Sequence, residues 1–369
     1  MDDEKALNNQ NTTNTINTET RLNRLDLTVR AVFLLKEERR ELNNMKLLKK
    51  AAALAIVCAM TFSFAACSSD TGNTETANSE AVSSEISEES GYTYTDALGR
   101  EVNILSHERV ACLMGSFADM WCIAGGKENL VASADDTWTG FDLGLADTVE
   151  NLGQIKEPNL EVLLESEPDL VFASSKMQSN LDLKETLEKA DIAVVYLDVT
   201  GFEDYLSVLK MMTDLTGDSE AYETNGEALK TQIEEAKSRQ DGSEPSVCII
   251  RVAGTAVSVK GSDDTVLSEM CKDLGCKNIA DEHESLLENL SMETIIEADP
   301  DFIFVVYQGT DEEASSKVFE ENVSSNEAWS SLSAVKNDNF YVMDRTLYNL
   351  KPNARWGEAY EKLADIIYP

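Results

Sequence analysis

The sequence predicts an α/β protein built from two similar lobes joined by a long helix. Three observations carry that reading. One pattern occurs twice, as Asn159-Leu-Glu-Val-Leu-Leu-Glu-Ser-Glu-Pro-Asp-Leu-Val-Phe-Ala and Ser291-Met-Glu-Thr-Ile-Ile-Glu-Ala-Asp-Pro-Asp-Phe-Ile-Phe-Val. Each copy reads as a capped helix, a Pro-Asp turn and a buried strand. Around both copies, short apolar runs alternate with helical stretches, the signature of parallel sheets covered on both faces. Between them, from about Phe202 to Arg239, the chain reads as helix alone.

The chain has 369 residues and 42% hydrophobic content, enough for two cores of ordinary domain size. It carries 68 acidic against 31 basic side chains, a net charge of -37. A general nucleic-acid binder is excluded by that balance, because phosphate backbones need a basic face. Solubility alone accounts for the acidity.

The elements follow in order. Residues 1–44 are polar and precede an export signal, so they are expected to be a mis-assigned extension, with Met45 the true start. Residues 45–67 hold a basic opening, Met45-Lys-Leu-Leu-Lys-Lys, an apolar stretch from Ala51 to Ala66, and a small-residue close at Phe64-Ala-Ala-Cys67. This resembles a bacterial lipoprotein signal peptide, with Phe64 where leucine is usual and Cys67 as the lipidated N-terminus. Its roughly 16 apolar residues fall short of the roughly 20 that span a bilayer. Residues 68–90, rich in Ser, Thr and Glu, cannot bury a core and are expected to be a disordered tether. The expected location is extracytoplasmic, at the outer face of a bacterial cell membrane, held by the lipid anchor only.

The N-terminal lobe is expected over residues 91–216. Tyr94 to Ile104 forms a hairpin turning at Gly99. Arg109–Met114 is a buried strand, and Gly115-Ser116 leads into a helix ending at Gly125-Gly126. Strands follow at Leu130–Ala134, Asp169–Ala173 and Ala193–Leu197, with helices at Leu160–Ser166 and Leu181–Ala190. A helix from Phe202 to Leu215 stops at Gly217. Asp218-Ser219 then caps a second helix through Leu229 and Ile233 to about Arg239, the linker of residues 217–241. At 1.5 Å per residue it spans roughly 30 Å, enough to bridge two lobes. The C-terminal lobe, residues 242–369, has strands at Val247–Val252 and Val257–Val259, a helix at Asp264–Leu274, the second copy of the repeat, a strand at Phe340–Met343 and a last helix opened by Pro352.

Beyond Cys67 there are Cys112, Cys122, Cys248, Cys271 and Cys276, without CxxC spacing. Most lie in apolar stretches and read as small hydrophobes. Cys271 and Cys276 flank Lys-Asp-Leu-Gly at a helix end, and export permits a disulfide without demanding one.

Asp96-Ala-Leu-Gly-Arg-Glu-Val, Arg109-Val, Ala124-Gly-Gly, Asn151-Leu-Gly, Asn159-Leu-Glu with Pro168-Asp-Leu-Val, the linking helix and Lys351-Pro-Asn-Ala-Arg-Trp stand in an order that resembles substrate-binding proteins of ABC importers for ferric siderophores, haem and cobalamin. The resemblance covers about residues 92–369. It implies two Rossmann-like lobes with parallel sheets, one long rigid helix between them and a ligand cleft between the lobes. It also implies a monomer without intrinsic cofactor or catalysis, partnered by an ABC permease and its ATPase, whose cargo is a ferric chelate, haem or cobalamin. Members of this family dock through one glutamate on each lobe, and Glu161 and Glu293 match those positions. Each sits in a first helical turn, where the helix dipole favours a carboxylate. Glu165 and Glu297 follow four residues later, a repulsive pairing that suits a basic partner better than it suits stability.

Ligands of open parallel sheets sit beyond the carboxyl ends of the strands. That rule points to Ser116 and Phe117, Asp135 to Trp138 including Asp136, Ser174 to Lys176, Arg251, Tyr307 and Arg345. Arg251 and Arg345 suit planar anions, and Trp138 and Tyr307 suit stacking on a flat ligand. Axial haem ligation would fall to His283, Met292 or Tyr307. A rival reading is a receptor for zinc or manganese ions, which wants several His and carboxylate ligands where the chain has only His107 and His283. A surface hydrolase is a further alternative, although GxSxG, HExxH and P-loop motifs are missing from the sequence. A structural adhesin would have no small-molecule cleft.

Overall fold

The computed structural model describes residues 91–369 and the single earlier residue Arg30. Residues 45–67 with Cys67, and the expected tether at 68–90, lie outside the described residues. Among the described residues, no helix is long and apolar enough to cross a membrane.

A two-stranded hairpin opens the fold, β1 (Tyr92–Thr95) against β2 (Glu101–Ile104). Its turn is knotted by Asp96, which accepts from the backbone N–H groups of Leu98 and Arg100 and from the Arg100 guanidinium at 2.6 Å. Burial opposes ionisation of Asp96, yet the hydrogen bonds from Arg100 hold its carboxyl below the usual range. Arg100 also stacks on Tyr196, 5.0 Å from the ring centre, and thereby fastens the hairpin to the first sheet.

That sheet has five parallel strands in the order β5-β4-β3-β6-β7: β3 (Val110–Cys112), β4 (Leu130–Ser133), β5 (Glu150–Asn151), β6 (Leu170–Ser174) and β7 (Ala193–Leu197). The second sheet follows the order β10-β8-β11-β12: β8 (Ser246–Ala253), β10 (Lys277–Asn278), β11 (Phe302–Tyr307) and β12 (Phe340–Met343). All its pairs are parallel but one. β9 (Ala256–Lys260) folds back antiparallel on β8 because only two residues separate the strands, too few for a crossover.

The repeated segments adopt matching structures. Leu160–Glu165 is capped by Asn159 and Met292–Ala298 by Ser291. Each copy then enters the left-handed region just before its proline, at Glu167 with φ 46° and Asp299 with φ 40°. Each Pro-Asp aspartate holds the segment beside it: Asp169 accepts from the Ser106 hydroxyl at 2.9 Å, and Asp301 from the Ser246 hydroxyl at 2.8 Å.

Three expected helices are interrupted, each for a local reason. Leu181–Ala190 is two short helices, Gln178–Leu181 and Lys184–Lys189, because the Asn180 carbonyl is drawn aside to accept from the Tyr196 hydroxyl at 2.9 Å. The linking helix begins at Ser219–Tyr222 and continues as Ala228–Lys237, with a π turn at Glu223–Glu227 between. At that turn the Asn225 carbonyl accepts from the Tyr205 hydroxyl at 2.7 Å, and a side chain added at Gly226 would meet Leu206 at 3.0 Å. The last helix runs over Trp356–Ile367 rather than from Pro352, because Asn353 takes φ 52° to turn its amide inward.

Strand alternation decides what each sheet covers. Ala111, Val171, Ala173 and Tyr196 pack on the outer face of the first sheet, and Cys248, Ile250, Ile303 and Val305 on that of the second. The opposite faces, with Cys112, Phe172, Val195, Ile249 and Phe304, belong to one continuous core with Tyr205, Leu209, Ile233, Trp356 and Tyr360 from the helices between the sheets. The last helix lies along the Ala228–Lys237 helix, and Trp356 contacts Phe202 and Tyr205 with ring centres 6.0 and 6.3 Å apart.

Candidate functional site

Strands of both sheets point their carboxyl ends into a cavity of about 210 Å³. The first lobe supplies Met114 beyond β3, Ser174 at the end of β6, Leu197 at the end of β7 and Asp198 after it, with Phe117 from the helix Gly115–Ile123. The second supplies Ile249 and Arg251 from β8, Lys260 from β9, Val306 from β11, the segment Asp264–Val266, and Tyr348, Asn349 and Lys351 near the C-terminus.

Four cations line this space in a strongly acidic chain: Lys176, Arg251, Lys260 and Lys351. Lys176 pairs with Asp198 at 3.0 Å and leans into solvent. Arg251 differs, because its Nε is buried and makes no hydrogen bond among the described residues. A buried donor without an acceptor costs roughly 1–3 kcal/mol, a cost that an anionic ligand would remove. Lys260 is pushed below its ordinary pKa, first by burial and then by the Arg251 charge. Burial lowers Lys351 as well, against the pull of Asp198, Asp204 and Asp136, and its Nζ sits 5.7 Å above the Phe117 ring.

Of the expected ligand residues, Phe117, Ser174, Lys176 and Arg251 line the cavity and the others do not. Tyr307 is 7% exposed and packs in the outer core of the second sheet, on the face shared with Ile303 and Val305. Asp136 lies behind the cleft, where both its oxygens are 2.9 Å from the Gly115 N–H and fill the start of that helix. Burial raises its pKa, and the Gly115 bond opposes the rise. Ser116 is buried in the first turn of the same helix. Arg345 donates from Nε to the Gln308 carbonyl at 2.8 Å, and Trp138 is exposed on the short helix Asp136–Gly140. None of His283, Met292 and Tyr307 reaches the cavity, whereas the thioethers Met114 and Met177 line it. His107 lies edge-on to Trp121, with ring centres 6.2 Å apart. Among the described residues there is no group of three or more His, Cys, Asp or Glu that could hold a metal ion.

Glu161 and Glu293 occupy the first turns of their helices, Glu161 half-buried and Glu293 exposed. A helix that feeds a parallel strand runs opposite to it, so both glutamates stand at the edge where the strands end, the edge that opens the cleft.

The family profile described as "Periplasmic binding protein" matches residues 110–347. The chain belongs to the periplasmic binding protein family. This binding protein is 27% identical over 228 residues to the iron-uptake system-binding protein of Bacillus subtilis, spanning 59% of this chain and 67% of that one. It is 22% identical over 227 residues to the high-affinity heme uptake system protein IsdE of Staphylococcus aureus, spanning 60% and 75%. Its fold matches Staphylococcus aureus SirA complexed with staphyloferrin B, with a TM-score of 0.57, 22% identity, and coverage of 75% of this chain and 97% of that one.

Sequence reasoning missed Lys260, Lys351 and the Asn353 side chain that steadies the binding protein's cleft wall. Asn353 donates to the Ser116 carbonyl at 3.0 Å and to Asp119 Oδ2 at 2.7 Å, tying the Lys351 segment to the helix that carries Phe117. Burial pushes the Asp119 carboxyl up, against the bond from Asn353. Lys260 had a signal in the strand pairing. It stands opposite Ile249, so the two share the cleft face.

Proposed function

We propose that this binding protein captures an anionic ferric chelate of the siderophore type between its lobes and delivers it to an ABC-importer permease coupled to its ATPase. The observation that carries this reading is the gathering of Arg251, Lys260 and Lys351 in one cleft of a chain with net charge -37, with the buried Arg251 Nε lacking an acceptor among the described residues. Guanidinium and ammonium groups in a half-dry cleft favour carboxylate or catecholate oxygens. The apolar wall of Met114, Phe117, Leu197 and Val306 suits the body of such a chelate. Relatives named for iron uptake and a structural neighbour holding staphyloferrin B support the same class.

Haem is the second reading. The relative IsdE is named for its uptake, and Met114 and Met177 offer soft axial donors in the cleft. Cobalamin rests on the resemblance alone. Glu161 and Glu293 serve as the two docking carboxylates on the cleft edge. Cys67 carries the lipid that holds the monomer at the outer membrane face, and no residue has a catalytic role.

Titration of tryptophan fluorescence with a ferric catecholate, a ferric hydroxycarboxylate, haem and cobalamin tests the reading. Saturable quenching by an anionic ferric chelate is the expected result. Saturation by haem alone would transfer the assignment to haem, and indifference to all four would overturn it.

A further inference from the structure

The helix Val266–Asp273 begins at the cleft, where Asp264, Thr265 and Val266 line the cavity. Its far end is closed by two backbone bonds: the Cys276 N–H donates to the Cys271 carbonyl at 2.9 Å, and the Gly275 N–H to the Lys272 carbonyl at 2.9 Å. Gly275 has φ 79° between them. This pair of bonds is a Schellman closure, which brings the residues at the two ends of the longer bond into side-chain contact. Here both are cysteines, and both are buried with free thiols in the structure. The Tyr368 hydroxyl on the Leu274 carbonyl at 2.6 Å and the Gln240 amide on the Asp273 carbonyl at 2.8 Å hold the same turn.

We infer that Cys271 and Cys276 are joined as a disulfide in the exported protein, pinning the helix that carries one wall of the cleft. The inference rests on the extracytoplasmic location proposed above. The tight turn keeps the pair close, and a disulfide needs its Cα atoms about 4.4–6.8 Å apart. The two thiols lose two protons and two electrons. The acceptor is the disulfide of a thiol–disulfide oxidant: one cysteine thiolate attacks it, a mixed disulfide forms, and the other thiolate displaces the oxidant as a dithiol. Timing follows from burial, which pushes the Cys271 thiol well above its ordinary range. Once folded, Cys271 has little thiolate and both cysteines are buried, so exchange belongs to the unfolded chain emerging at the membrane, and the finished bond is shielded from reductants.

The test uses the full chain expressed in a bacterium, acid-quenched, denatured and alkylated without reductant. Trypsin cuts after Lys260, Lys272 and Lys277, placing Cys271 and Cys276 in separate peptides. The expected result is a joined peptide pair, separated by dithiothreitol, with Cys112, Cys122 and Cys248 alkylated. Five alkylated cysteines in protein that external protease shows to be outside the membrane would overturn the inference. Protein found inside the cell would instead defeat the location, and a second arm then decides. The purified full chain is unfolded and refolded in a glutathione redox buffer, where the same joined pair should form and should melt roughly 5 °C above the Cys271→Ser, Cys276→Ser variant. Free thiols after that refolding would reject the pairing itself.

Discussion

The N-terminal and C-terminal lobes close the same helix-turn-strand unit with different bonds. In the first, Arg109 reaches across to donate to the backbone carbonyls of Ser166 and Glu167. In the second, Asp299 stands where the first has Glu167 and turns its carboxylate to Ser333, accepting from the backbone N–H and the hydroxyl at 2.7 Å each. The cleft divides likewise. The first lobe brings Met114, Phe117 and Leu197, plus a lysine already paired with Asp198, whereas Arg251, Lys260 and Lys351 come from the second. Features that the backbone path requires are kept in both copies: the left-handed residue, the proline and the aspartate. Side chains that line the cleft or meet a neighbouring helix have diverged.

Four experiments press on that comparison. Phe172 and Phe304 are equivalent, fully buried aromatics on the faces that meet the shared core. Replacing either with alanine should cost about 3–5 kcal/mol in urea unfolding, and costs differing by more than about 2 kcal/mol would show that the lobes do not lean on the core equally. Arg251→Ala should weaken binding of an anionic ferric chelate by on the order of 100-fold in fluorescence titration, against about 3-fold for Lys176→Ala. Equal losses would erase the division between an apolar and a cationic wall. Glu161→Lys together with Glu293→Lys should cut transport in reconstituted vesicles by roughly 10-fold with ligand affinity unchanged. Unchanged transport would leave these glutamates as first-turn helix charges and no more.

The smallest effect is expected at Asp299. The Ser333 N–H and hydroxyl hold its carboxyl below the ordinary range in the folded protein. A depressed carboxyl stabilises above the ordinary carboxylate pKa, near pH 4, and loses that contribution as the pH falls through its folded value. Asp299→Asn should therefore lower stability by a few tenths of a kcal/mol at pH 7, because the group is largely exposed. The difference should fade below pH 4, as read from urea midpoints at the two conditions.

Much of this fold was legible because a buried strand must alternate and a helix must cap. The spans Ala193–Leu197 and Phe340–Met343 follow directly from apolar runs bounded by turn residues. The interrupted helices were not legible, because hydroxyls distant in sequence caused two of the breaks: Tyr196 at Asn180, and Tyr205 at Asn225. At the cleft, strand ends pointed to the cavity but parity selected the residues that line it. Arg251 alternates with Val247 and Ile249 toward the cleft, whereas Tyr307 alternates with Ile303 and Val305 toward the outer core. Lys351 and Asn353 follow no strand or helix period, and only the folded chain brings them to Phe117 and Ser116.

The continuous core between the sheets has a mechanical consequence. Lobes that meet through a broad apolar contact do not swing as independent bodies. Loaded and empty forms would then present Glu161 and Glu293 at nearly the same separation, like the fixed jaws of a gauge. A permease that distinguishes the two would have to sense the cargo itself at the open lip of the cleft.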